Sequence, residues 1–261
     1  MKLTFRHLIL FFFFLMCRPG FAQEAVSVID MPSPKKTWNI KVEMEAKSTF
    51  DKEKNMNGYS SEADLQLTRM WSETYGTILG IQVGHKASEE ETTSQMEEAT
   101  LGLRAVQKIA GLKWRAQLMY NYLLQEEQRL ADFRDGSLML DVRTNIPLQT
   151  WGKARLRLKH AEYLPTKNED DIGVRQTKLE LTPSYLWGRF ATGFKNQVTR
   201  LSTFAESFHT FDIAPFIKYE GDHFEPMLKV IYRPVEKSAQ FHTAQNWESH
   251  PIYALEMEMN F

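Results

Sequence analysis

The feature that most constrains this chain is a strict alternation of apolar and polar residues that begins at Trp38. The residues Trp38, Ile40, Val42, Met44 and Ala46 share one parity, and polar or charged residues fill the positions between them. Because successive side chains of a strand point to opposite faces, a period of two indicates a β-strand with one apolar and one polar face. The pattern recurs in twelve segments, as far as the last residue of the chain.

The connectors between these segments alternate in length. Short connectors lie at 72–74, 108–111, 147–152, 187–188 and 220–223, and longer polar ones lie at 51–58, 86–95, 125–135, 165–173, 200–207 and 235–249. Short turns at one end, long loops at the other and an even strand number are typical of outer-membrane barrels. Segments of about ten residues have the length that a tilted strand needs to cross a bilayer. We therefore predict an all-β fold, a transmembrane antiparallel up-and-down β-barrel of about 12 strands.

The aromatic residues form two groups that agree with this topology. One group falls at the short-turn end and comprises Trp38, Trp71, Tyr75, Trp151, Tyr185, Trp187, Tyr219, Phe224 and Phe261. The other falls at the loop end and comprises Phe50, Tyr59, Tyr122, Tyr163, Tyr232, Trp247 and Tyr253. Aromatic side chains favour the two membrane interfaces, so the groups predict two girdles.

The first 22 residues have the pattern of a cleaved export signal. Positive charge at Lys2 and Arg6 precedes an apolar run, and small residues lie just before Gln23. The run is too short for a membrane anchor, which needs about 20 residues. We expect a signal peptide at 1–22, a periplasmic lead at 23–36 and the barrel at 37–261. The one cysteine, Cys17, lies within the signal, so the mature chain uses no disulfide in an oxidising compartment.

Overall composition alone favours a different class of protein. A mean hydropathy of −0.42 and a net charge of −1 are those of a soluble chain, and a soluble β-sandwich or lipocalin-like barrel would also alternate. In that alternative the apolar face points inward. A helical alternative exists for 99–133, but 112–122 keeps a period of two, so only 123–130 is left for a helical turn.

With the apolar face outward, parity assigns the polar side chains to the lumen, where they separate by charge. A basic wall on strands four to nine comprises Arg104, Lys113, Arg115, Arg143, Lys153, Arg155, Arg157, Lys159, Lys178, Arg189 and Lys195, against Glu98, Asp141 and Glu180. An acidic wall on strands twelve, one and two comprises Glu43, Glu45, Glu62, Asp64, Glu256 and Glu258, against Lys41 and Lys47.

Two interpretations of these walls remain open. A ladder of guanidinium groups offers successive bidentate sites for carboxylate or phosphate, with Arg104, Arg115, Arg143, Arg155, Arg157, Lys159 and Lys178 as the anion path. Alternatively the walls pair with each other and fill the interior, because buried charges need partners. The first interpretation predicts a channel for small anionic solutes, and the second predicts a closed structural or adhesive barrel.

The last strand resembles the terminal assembly signal of bacterial outer-membrane proteins, which ends in Phe after alternating apolar residues. Its apolar positions are Tyr253, Leu255, Met257, Met259 and Phe261. The resemblance implies recognition by the barrel-assembly machinery and a location in the outer membrane, with membrane lipids and lipopolysaccharide as neighbours. The acidic external loops also suit divalent-ion bridging to lipopolysaccharide.

In strand number and basic track the chain resembles the small twelve-stranded channels for acidic oligosaccharides. A minor alternative is the twelve-stranded outer-membrane phospholipase, because His160 has outward parity, but no outward Ser or Asn accompanies it. We expect no enzyme activity, no cofactor, no metal site and no nucleic-acid partner, since no metal-ligand spacing or phosphate-binding glycine loop is present.

Overall fold

The computed structural model describes residues 38–51, 56–87, 92–125, 129, 134–149, 152–166, 173–205, 207–236 and 251–261. The predicted signal peptide and periplasmic lead lie outside them. The strands are β1 (Trp38–Asp51), β2 (Met56–Met70), β3 (Tyr75–Ala87), β4 (Thr92–Ile109), β5 (Leu112–Leu123), β6 (Arg134–Leu148), β7 (Gly152–Pro165), β8 (Gly173–Trp187), β9 (Phe190–Thr203), β10 (Ser207–Tyr219), β11 (Phe224–Glu236) and β12 (Ile252–Asn260).

These twelve strands form one closed antiparallel barrel, as the alternation predicted. Each strand pairs with its neighbours in sequence, and β1 closes the barrel against β12. The closing register runs from Lys41 opposite Asn260 to Ser48 opposite Tyr253. Closure leaves no free sheet edge, so backbone groups pair between strands all the way around.

The apolar face points outward. Leu101 and Leu228 expose 59% and 53% of their surfaces, whereas Asp141 and Lys229 on the inner face expose 2% and 4%. A soluble sandwich or lipocalin-like barrel would show the reverse arrangement, so the structure excludes the soluble alternative. The exposed band of Leu, Ile, Val and aromatic residues is the surface that a β-barrel presents to lipid.

Tight turns connect the strands at one end of the barrel, which we call the short-turn end. Ala110 and Gly111 both have positive φ values, 50° and 79°, as the two-residue hairpin between β4 and β5 requires. Gly188, with φ of 61°, has the same role between β8 and β9. A side chain at these glycines would meet open space, so their function is conformational.

The opposite end, which we call the loop end, differs from the prediction in connector length. The connector predicted at 200–207 shrinks to 204–206, because β9 continues to Thr203 and β10 begins at Ser207. The strands flanking the connectors predicted at 51–58 and 86–95 likewise extend to leave 52–55 and 88–91. Polarity stops alternating there, but antiparallel pairing continues, because backbone hydrogen bonds do not depend on an apolar face.

The helical alternative for 99–133 is wrong over its described part. Strands β4 and β5 occupy most of that range, and Arg129 alone is helical, with its N–H donating to the Gln125 carbonyl at 3.0 Å. Within the described residues, no helix combines the length and the apolar character that crossing a membrane demands.

Aromatic side chains gather at the short-turn end, as predicted. The rings of Trp187 and Phe190 stack with centroids 5.1 Å apart, and Tyr219 meets Phe190 edge-on at 5.5 Å. Arg189 does not point into the lumen as parity predicted. It lies in the turn between β8 and β9 and donates to the Tyr219 hydroxyl at 3.1 Å, because the chain reverses at 188–189 and parity has no meaning there.

Candidate functional site in the lumen

Three cavities lie inside the barrel and meet around two residues of β7. Their volumes are 340, 260 and 560 Å³, and Arg157 and Lys159 line all three. Across the lumen, Glu62 borders two of the cavities, and so does Asp64. The part of the interior where the cavities meet is therefore bounded by two cations on one side and by carboxylates on the other.

The β7 strand supplies a ladder of three cations. Arg155, Arg157 and Lys159 alternate with Leu156 and Leu158, so they share the inward face. Alternate residues of a strand are about 6.6–6.8 Å apart, which in a strand tilted by about 40° is a rise of about 5 Å toward the loop end. A solute moving along β7 thus meets a positive charge at each step.

The central arginine of this ladder has a carboxylate partner. Arg157 donates Nε to Asp141 Oδ1 at 3.0 Å and Nη2 to Asp141 Oδ2 at 2.6 Å. The carboxylate of this pair is nearly inaccessible, since the Asp141 side chain is 3% exposed, whereas the Arg157 side chain is 25% exposed. A bidentate arginine–carboxylate contact fixes both side chains, so Arg157 is held in place by β6.

The other six cations of the predicted anion path have no such partner. No carboxylate of the described residues lies within ion-pair distance of them. These six, which we call the unpaired cations, are Arg104, Arg115, Arg143, Arg155, Lys159 and Lys178.

Three of the unpaired cations form a cluster nearer the short-turn end. Arg115 on β5 is directly opposite Arg143 on β6, and Arg143 is directly opposite Arg157 on β7. Arg104 lies opposite Gln117, one inward position along β5 from Arg115. The Nε atoms of Arg104 and Arg143 are buried and make no hydrogen bond. Like charges placed opposite each other on a sheet are destabilising. An anion bound between these arginines would offset their repulsion by its attraction to both.

The acidic wall is partly paired with lysines that lie within it or beside it. Lys229 of β11 is 4% exposed and binds both Glu45, at 2.8 Å, and Glu256. Lys41 binds Glu43 and lies 3.4 Å from Glu258. A further contact of 2.6 Å joins Lys47 to Glu45. Four of the six carboxylates therefore have a lysine partner, and three lysines against six carboxylates leave the wall with a net charge of −3.

The two walls make little direct contact with each other. The shortest ion-pair distance between their described members is 3.9 Å, from Lys195 Nζ to Glu256 Oε1, and Lys195 also lies 3.4 Å from Glu180 on its own side. Parity had assigned Lys41 and Lys47 to the lumen but had not singled out Lys229. Lys229 lies between Leu228 and Val230, and this alternation with the apolar residues of β11 is the sequence pattern that predicts an inward position for it.

The described residues hold no group of three or more His, Cys, Asp or Glu arranged to bind a metal ion. On the outward face, His160 Nδ1 is 2.8 Å from Thr177 Oγ1, and His160 Nε2 is 3.3 Å from Glu162 Oε1. Glu162 also accepts from Arg175 Nε at 2.8 Å. The hydroxyl beside His160 is thus that of a threonine, and its carboxylate is shared with an arginine.

No family model and no curated protein matches the chain. Among solved structures, an outer-membrane channel from Pseudomonas putida F1 is similar with a TM-score of 0.59 and 12% identity, over 88% of this chain and 99% of that one. The NanC porin is similar with a TM-score of 0.53 and 8% identity, over 84% of this chain and 98% of that one. Likeness at this level of identity concerns the fold. This chain therefore has the closed twelve-stranded barrel fold of porin-like outer-membrane channels.

Proposed function

We propose that this protein is an outer-membrane channel for small polar anions that carry carboxylate or phosphate groups. The observation that carries the proposal is the inequality between the two walls. Six cations of the basic wall have no ion pair within the described residues, whereas lysines pair with four of the six carboxylates of the acidic wall.

The uneven pairing of the two walls produces an electrostatic field across the lumen. Three lysines against six carboxylates leave the acidic wall with a net charge of −3, whereas the opposite side carries six unpaired cations, so the positive potential is strongest along the basic wall. An anion that loses water in a narrow lumen needs fixed positive groups to replace its hydration shell. Guanidinium groups supply two parallel N–H donors each, which fit carboxylate and phosphate oxygens.

The ladder also suits transport rather than tight binding. On β7, Arg155 and Lys159 flank Arg157, which is fixed by Asp141 of β6. Lys178 of β8 lies directly opposite Lys159. An anion can pass from one cation to the next without leaving positive potential. Conduction requires a series of sites, each of which binds the anion well enough for it to enter and weakly enough for it to leave.

The test is the reversal potential of the refolded barrel in a planar bilayer under a salt gradient. The wild-type channel should prefer chloride to potassium. Replacing both Arg143 and Arg155 by Gln should move the reversal potential toward that of a cation-selective pore. The shift should grow as salt falls, because the Debye length increases from about 3 Å at 1 M to about 30 Å at 0.01 M.

The matched control exchanges the paired residues instead. Replacing Asp141 by Asn together with Arg157 by Gln removes one charge of each sign, so the selectivity should stay near the wild-type value. A wild-type barrel that shows no conductance would contradict the channel. The remaining candidate would then be a closed structural or adhesive barrel, in which the two charged walls fill the interior.

The proposal includes the route to the membrane. The export signal at 1–22 would be removed, the barrel-assembly machinery would bind the last strand at Tyr253, Leu255, Met257, Met259 and Phe261, and lipids including lipopolysaccharide would surround the outward face. The outward exposure of Tyr253, Leu255 and Phe261 supports this, since a signal must be accessible to be read. Fractionation of cells that express the chain tests the location.

A further inference from the structure

The outward face carries polar side chains at the loop end of four neighbouring strands. Cross-strand pairing places His160 of β7 beside Thr177 of β8, Thr177 beside Arg200 of β9, and Arg200 beside His209 of β10. All four have the outward parity of the apolar belt. Each strand contributes only one or two of these residues, so the stripe forms only when the four strands are paired.

A second row lies one outward position closer to the loop end. Here Glu162 is paired with Arg175, Arg175 with Ser202, and Ser202 with Ser207. Arg175 donates Nε to Glu162 at 2.8 Å and keeps 51% of its side chain exposed. Arg200 donates Nη2 to the Ser207 hydroxyl at 3.3 Å.

We call the charged and polar core of these rows the outer polar patch, and it comprises His160, Glu162, Arg175, Thr177, Arg200 and His209. Apolar residues lie immediately below it on the same face. Leu179 and Val198 are 49% and 44% exposed. An exposed arginine in the hydrocarbon region of a membrane is destabilising, most strongly at the midplane and less toward the interfaces.

The height of the patch removes this cost. His160 follows the connector between β6 and β7 by about ten residues and Arg200 follows the turn at 188–189 by about eleven, at a rise of about 2.6 Å per residue for a strand tilted by about 40°. Both residues then lie about 26–30 Å above the short-turn end. The apolar band of such barrels is about 25 Å tall, so the patch lies at the polar boundary of the loop-end leaflet.

We propose that the outer polar patch binds the phosphate groups of the outer-leaflet glycolipid, lipopolysaccharide. Arg175 and Arg200 are diagonal neighbours on β8 and β9, a relationship that separates backbones by about 7–8 Å and lets long side chains converge. Guanidinium groups match phosphate oxygens, and Glu162 binds the Nε of Arg175 while about half of the Arg175 side chain stays exposed. The inference rests on the proposed outer-membrane location and not on conduction through the lumen.

The charges of the patch disfavour a second copy of this chain as its occupant. A two-fold contact would bring the same patch of both copies together. Arg175 and Arg200 would then face their own counterparts with one carboxylate per copy between them. A phosphorylated glycolipid supplies the missing negative charge, and its acyl chains would cover the exposed Leu179 and Val198 below.

The test measures binding of bis-phosphorylated lipid A to the refolded mature barrel in detergent by native mass spectrometry, with fully dephosphorylated lipid A as the second probe. Wild-type barrel should retain the phosphorylated lipid, and Arg175→Gln with Arg200→Gln should weaken binding at least tenfold. The variant with Arg175→Lys and Arg200→Lys should keep a larger part of the affinity than the Gln variant.

The matched control is Arg69→Gln. Arg69 is an outward arginine near the short-turn end that stacks over Trp38 at 5.0 Å, and its replacement should change binding less than twofold.

Comparison of unheated and boiled samples on a detergent gel establishes that each variant is folded before binding is measured. Equal retention of both lipid A forms, or equal affinity of wild type and the double Gln variant, would overturn the proposal. Displacement of the lipid by inorganic phosphate at the same concentration would assign the patch to free phosphate instead. A dimer that the double Gln variant abolishes would favour a second copy, and release of fatty acid from the lipid would make the His160 region a hydrolytic site.

Discussion

Arg115 and Arg143 lie directly opposite each other on adjacent strands of the lumen wall, although both carry a positive charge. Asp141, two residues from Arg143, does not separate them, because it is engaged by Arg157 on the other side. The fold therefore brings two positive charges together at Arg115 and Arg143, while the nearest carboxylate, Asp141, is paired with Arg157. This arrangement costs stability unless an anion or solvent compensates it.

Relief of this repulsion gives the first prediction. Arg143→Gln should leave the heat stability of the barrel unchanged or raise it, because Gln keeps much of the length and removes one of two opposed charges. Inorganic phosphate should stabilise the wild type by binding the folded state, and should stabilise the variant less. The measurement is the temperature at which the fast-migrating band disappears from a detergent gel, with and without phosphate.

Lys113→Gln is the matched control, since Lys113 lies near the short-turn end and is exposed. It should leave the phosphate effect intact. Strong destabilisation by Arg143→Gln would mean that this arginine holds the wall together and is not an unpaired cation of the path.

The second prediction concerns Asp141. Asp141→Asn removes the partner of Arg157 and leaves that buried guanidinium beside Arg143 and Lys159, so it should lower the free energy of unfolding by about 3–5 kcal/mol. Urea unfolding in lipid vesicles measures the loss. Asp64→Asn is the control, because Asp64 has no ion pair within the described residues and should cost much less.

The third prediction tests the local neutralisation of the acidic wall. Lys229→Gln leaves Glu45 and Glu256 in the interior without their shared cation and should destabilise the barrel. Adding Glu256→Gln should recover a large part of the loss, because Glu45 keeps its contact with Lys47 whereas Glu256 has lost its close partner. Additive losses in a double-mutant cycle would show that the contact contributes nothing.

The fourth prediction separates assembly from stability at Phe261. Its backbone exchanges two hydrogen bonds with Ile40, at 2.8 and 3.1 Å, while its side chain is 66% exposed on the outward face. Phe261→Ser should lower the amount of assembled barrel in the outer membrane several-fold, yet change the unfolding free energy of refolded protein by no more than about 2 kcal/mol. Quantified outer-membrane fractions and urea unfolding make the comparison.

Trp38→Ser removes an exposed aromatic ring from the same end of the barrel, but outside the last strand. It should assemble nearly as well as wild type. Equal assembly defects in both variants would make the effect one of the aromatic girdle and not of a terminal signal.

The sequence determined the class, the strand number and the faces of this barrel, because a period of two depends only on local geometry and each strand has a polar and an apolar side. It placed Arg155, Arg157 and Lys159 on one strand for the same reason. Only the tertiary structure decided which cations have partners. Arg157 contacts Asp141, and Lys229 contacts Glu45, because the register between strands brings these distant parts of the sequence together. The outer polar patch likewise arises when β7 to β10 are aligned, because each strand by itself contributes too few polar residues to form a pattern.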